Sequence, residues 1–91
     1  MKLVTYDSMK FIVDASNTQE AIMLAIEANL AFLEVWKDNP TDERYEEYVR
    51  EAKKGENYTV VDLSLDALDN LIQCKKELYS GVYGRALVFN E

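Results

Sequence analysis

Histidine is missing from the 91 residues, and cysteine, proline and tryptophan occur once each. The first absence removes the commonest general base and the commonest metal ligand. A single cysteine, Cys74, cannot close a disulfide within the chain. With no histidine to activate it, it is a poor catalytic thiolate. The glycines, Gly55, Gly81 and Gly84, are too scattered for a phosphate-cradling loop. There is no nucleophile elbow, no paired-cysteine metal motif and no EF-hand spacing. An enzyme built on this chain would have to use dispersed carboxylates and tyrosines. The expectation is therefore a non-enzymatic protein with no cofactor and no metal.

Long apolar runs are missing too. A membrane span needs about 20 apolar residues. The longest apolar stretch here, Ala21 to Trp36, is shorter and carries Glu27 and Glu34. Met1-Lys2-Leu3-Val4 does not begin the apolar region of a secretory leader. Together with the lone cysteine, this leads to the expectation of a cytoplasmic protein. Positive charge is scarce: 10 Lys and Arg stand against 17 Asp and Glu, a net charge of −7. Phosphate backbones are bound by clustered Lys and Arg, so direct nucleic-acid binding is not expected. An acidic chain suits a basic partner, and it also suits plain solubility.

What is present reads as one α+β domain, residues 1–91, without repeats, low-complexity segments or linkers. Lys2–Tyr6 and Met9–Val13 are rich in β-branched and aromatic residues, with Asp7-Ser8 as a two-residue turn between them. Ser16 or Asn17 can cap a helix; with Ser16 as cap, Gln19 completes a capping box. That helix should run to about Asp38, because Pro40 pushes Asn39 out of the helical region. Thr41 begins a second helix, with Tyr45, Tyr48, Val49 and Ala52 as its apolar face and Gly55 as a left-handed stop. Tyr58–Leu63 reads as a strand. Ser64 caps a third helix from Leu65 to about Tyr79, ended by Ser80-Gly81. Gly84–Phe89 reads as the last strand. The expected order is β-β-α-α-β-α-β, with an antiparallel or mixed sheet packed by a long central apolar helix.

That first helix holds the strongest pattern. Glu20, Glu27 and Glu34 fall on one line of the helix, drifting only about 40° in total. Apolar residues fill an arc of roughly 240°, where a surface helix needs little more than about 100°. Such a helix needs cover on two sides: a sheet on one, and a second helix or a second subunit on the other. A chain this short buries only about 60–65% of its unfolded surface. Association between copies would add to its stability, so a homo-oligomer is expected.

Several residues are candidates for function. Glu20, Glu27 and Glu34, extended by Asp38, form either a solvated stripe or an acidic ridge for a basic partner. No basic residue occurs between Ile12 and Trp36, so neutralisation must come from elsewhere. Asn29 lies opposite this line, within the apolar arc. It is either a core amide with an internal partner or, alongside Trp36, a polar contact across a self-association interface. Tyr45, Tyr48 and Glu47, with Glu43, Glu46 and Glu51, make a tyrosine-and-acid helix face suited to a basic groove; equally, the tyrosines could pack inward with the acids in water. Lys75, Tyr83 and Arg85 could hold an anionic ligand such as a nucleotide, approached over Gly81 and Gly84. Alternatively, Lys75 could simply lay its stem along the core edge.

Two functional expectations follow. One is an acidic, self-associating interaction protein with a basic protein partner. Its sharpest form is an inhibitor whose carboxylates take the place of phosphates in a nucleic-acid-binding protein. The size and composition are those of small single-domain proteins common in phages and mobile elements. The alternative is an oligomeric binder that sequesters a small anionic ligand.

Overall fold

The computed structural model describes residues 1–35, 43–74 and 79–90. Strands β1 (Lys2–Tyr6) and β2 (Met9–Val13) form the expected hairpin, pairing from Lys2 with Val13 to Tyr6 with Met9. Its turn is made without glycine. Asp7 takes φ 51°, a left-handed conformation that aspartate tolerates better than most residues. Helix α1 (Thr18–Val35) starts at Asn17, not Ser16. The Asn17 side chain accepts the Glu20 backbone N–H at 2.8 Å, and the Ser16 hydroxyl donates to the Glu20 carboxylate at 3.0 Å. Asn17 is therefore the cap, and Glu20 rather than Gln19 is the third helical residue, its carboxylate bonded to the Ser16 hydroxyl.

Helix α2 (Glu43–Ala52) leads through a 3-10 turn (Gly55–Asn57) into β3 (Thr59–Asp62). Gly55 does not adopt the left-handed stop expected of it; positive-φ glycines are Gly81 and Gly84. Its lack of a side chain serves another purpose, since a Cβ there would stand 3.3 Å from Ile22 of α1. Helix α3 (Leu65–Cys74) opens as expected at Ser64, whose side chain accepts the Ala67 N–H at 3.1 Å.

The expected third helix overran. Tyr79–Tyr83 is a strand, β4, paired with β5 (Ala86–Asn90). Ser80-Gly81 therefore belongs to a strand and does not mark a helix end. A register shift between Tyr79 and Gly81, with φ 128° at Gly81, lets a glycine sit inside it. Gly84, at φ 57°, turns β4 into β5.

The sheet order is β3-β1-β2-β5-β4, every neighbouring pair antiparallel. Side chains alternate between its faces. One face carries Val60, Val4, Phe11 and Val88 in register, and Ala21, Leu24, Ala25, Ala28 and Phe32 of α1 join the same core. Three of those five are alanines, which let the helix approach the sheet closely. The other face carries an aliphatic row across all five strands: Val61, Leu3, Ile12, Leu87 and Val82. It is covered at its centre, where Ile12 is 2% exposed, and open at its edges, where Val61 and Val82 are 51% and 62% exposed.

Most of the wide apolar arc of α1 is covered within the chain, while Met23 and Val35 stay exposed at 68% and 67%. The sheet takes one side. Helix α2 and the 3-10 turn take a flank, and β4 takes another, with Tyr83 edge-on to Phe32 at 5.2 Å.

Candidate functional site

Helix α2 has two working faces. Tyr45, Val49 and Ala52 lie on the side toward the interior, with Ala52 fully buried. Arg44, Glu47, Tyr48 and Glu51 follow the i, i+3, i+4, i+7 spacing of a second stripe. That stripe forms one wall of an open cleft of about 410 Å³. The opposite side is the tip of the first hairpin, Tyr6 and Asp7, and Asn57 of the 3-10 turn completes the lining.

Much of this lining is held from behind. Tyr6 stacks on Tyr58 with ring centroids 4.7 Å apart and planes at 29°. Tyr58 is buried and fixed at both ends of its hydroxyl. It donates to the Ala52 carbonyl at 2.6 Å and accepts from the Asn29 amide at 3.0 Å. Burial pushes the Tyr58 phenol up to about 12, against a weaker opposing pull from the Asn29 hydrogen bond. Burial also raises Tyr6, helped by the nearby negative charges of Glu51 and Asp7. Glu51 is tied down by Lys54 at 3.0 Å and by Asn57 at 3.3 Å, and the Lys54 hydrogen bond leads in holding its carboxyl below the usual range. The lining carries three carboxylates, Asp7, Glu47 and Glu51, against one guanidinium, Arg44. It also carries two tyrosines, and Tyr48 is 54% exposed. Such a surface can bind a cation and stack a flat group.

Of the tyrosine-and-acid helix, Tyr48, Glu47 and Glu51 line the cleft. Tyr45 does not: its hydroxyl donates to Glu34 at 2.8 Å. The acidic line of α1 is engaged at each described position. Glu20 accepts from Ser16, Glu27 accepts from Arg85 at 2.8 Å, and Glu34 accepts from Tyr45. Neutralisation of Glu27 thus comes from the β4–β5 turn of the same chain. Asp38, Trp36 and Lys75 lie outside the described residues. Arg85 is bound to Glu27, and Tyr83 packs on Phe32, so the described residues do not bring these two together as an anion site.

Asn29 requires a correction as an interface residue. It is 1% exposed within the single chain and is satisfied by Tyr58. It is a core amide because the strand entry at Tyr58 passes beneath α1, which side-chain periodicity on the helix does not reveal.

Four lining residues escaped the sequence reading: Tyr6, Asp7, Arg44 and Asn57. Arg44 had a signal, the second stripe of α2. The others arrive from distant segments through the sheet register. Among the described residues, no group of His, Cys, Asp and Glu is arranged to hold a metal ion. No described helix is long and apolar enough to cross a membrane. Compared with protein-family models, curated proteins and solved structures, the chain matches none of them.

Proposed function

We propose that this chain is a non-enzymatic interaction protein that binds a basic segment of a protein partner in the cleft between the first hairpin and α2. The observation that carries this reading is the lining: carboxylates from two separate elements converge beside two tyrosines. Tyrosines at binding surfaces supply contact area, and carboxylates supply charge complementarity. The finer form makes the partner a nucleic-acid-binding protein whose phosphate site these carboxylates occupy, the work of a small inhibitor.

Titration with a lysine- and arginine-rich peptide tests the reading. Binding should weaken as salt is raised, since exposed charges are screened. Tyr48→Ala should cost about fivefold or more in affinity, the scale of an interface anchor. Glu47→Gln should weaken binding without altering the fold. Binding that ignores both substitutions and salt would remove the cleft from consideration.

Self-association is a separate proposal. Because most of α1 is covered within the chain, its support lies in the apolar residues left open, Val61 and Val82 at the edges of the second sheet face and Met23 and Val35 on α1. The mass of the protein in solution tests it.

A further inference from the structure

We infer that the group received by the cleft is a guanidinium, an arginine side chain of the partner, in preference to a lysine ammonium. This deepens the basic-partner reading and rests on it. The first argument is the floor. Tyr6 is stacked on Tyr58, and Tyr58 is held between the Asn29 amide and the Ala52 carbonyl. A ring backed in this way keeps its orientation at no further cost when a flat group is laid against it. Guanidinium is planar and weakly hydrated and stacks on aromatic faces, whereas ammonium is a compact, strongly hydrated point charge.

The second argument is the charge. Arg44 lies in the same lining, and Lys54 is already bonded to Glu51. The local excess of negative charge is therefore modest and open to solvent. Point-charge attraction alone is weak in that setting. Fork-shaped hydrogen bonding to a carboxylate, combined with stacking, discriminates where net charge does not. Asp7 and Glu47 come from different elements of the same lining that holds Tyr6. The third argument is size. A cleft of about 410 Å³ holds one long side chain and the adjoining backbone of a peptide, and it is at the small end of ligand sites.

The test compares two flexible Gly-Ser peptides of equal length, one carrying arginines and the other lysines at the same positions. Both are titrated into the isotopically labelled full chain. The arginine peptide should move the amide signals of Tyr6, Asp7 and Tyr48. The lysine peptide should bind at least about fivefold more weakly, the scale of a stacked cation contact. Tyr6→Phe should retain the preference and Tyr6→Leu should lose it, with unchanged dispersion of the remaining signals showing that both are folded. Equal affinity for the two peptides would overturn the guanidinium assignment and leave the basic-partner reading standing. Binding of neither peptide would overturn both.

Discussion

Tyr58 connects the core to the cleft through a single hydroxyl. It serves Asn29 and Ala52 on the inside while its ring supports Tyr6 on the outside. Tyr58→Phe keeps the ring and leaves a buried amide and a buried carbonyl without that partner. The expected loss is about 1–3 kcal/mol in a urea melt. The phenol also sets an alkaline limit. Its pKa is near 12 when folded and 10.0 when unfolded. The folded state therefore holds the proton more tightly than the unfolded state. Its contribution is complete below pH 10 and is lost as pH rises through 12. The urea midpoint should fall over that window in wild type and less steeply in Tyr58→Phe. Asp7 shows a different tension at the same scale. Its left-handed backbone suits glycine, yet its carboxylate lines the cleft. Asp7→Gly should stabilise the fold by up to about 1 kcal/mol in thermal melts and weaken binding of the basic peptide. A gain in stability with undiminished binding would show that the carboxylate does not contribute.

Among the elements, α1 illustrates how a helix with an apolar arc far wider than one sheet face finds cover. Small residues are central to the answer. Alanines seat the helix on the sheet, Gly55 lets the 3-10 turn reach Ile22, and Gly84 brings the last hairpin turn against Glu27 and Ala28. A Cβ at Gly84 would lie 3.3 Å from the Glu27 side chain, and φ there is 57°. Gly84→Ala is expected to cost about 1–2 kcal/mol, read as a lowered melting temperature. Arg85→Ala removes an ion pair whose guanidinium side chain is 72% exposed. It should leave the melting temperature nearly unchanged. If the two substitutions behaved alike, the turn would owe its position to the ion pair and not to close backbone contact. Most of these elements were legible beforehand: the hairpin from its β-branched runs, the third helix from Ser64, the second from its tyrosine spacing. Strand β4 was not. Its Tyr-Ser-Gly sequence is a good helix ending, and only pairing with β5 makes it a strand.

For the molecule as a whole, the sheet order decides which surfaces remain open. β3 and β4 lie at opposite edges and run in the same direction, so the chain that joins them has to pass from one side of the sheet to the other. Phe89 and Ile12 are buried at 1% and 2% on the face away from α1, while Val82 is exposed at its rim. If copies associate, this rim is where they meet. Light scattering should then give wild type a mass above that of one chain, and Val82→Lys should lower it with the fold retained. A monomeric wild type would end the self-association proposal without touching the cleft. Asn29→Lys should not act as a dissociating change. It places a charge in the core, and the expected outcome is loss of folded structure.

The residues alone settled what depends on near neighbours in the chain. Alternation in the first hairpin, a cap at Ser16 or Asn17, the cap at Ser64, the break near Gly55 and the lack of histidine are all short-range or compositional facts. The α+β class followed from them. Tertiary structure decided what depends on distant segments meeting: the fifth strand, the internal cover of α1, the Asn29–Tyr58 bond and the pairing of Glu27 with Arg85. The cleft belongs to this second group. Tyr6 and Asp7 reach α2 only because β1 pairs with both β2 and β3, and periodicity within one segment carries no record of which other segment will lie beside it.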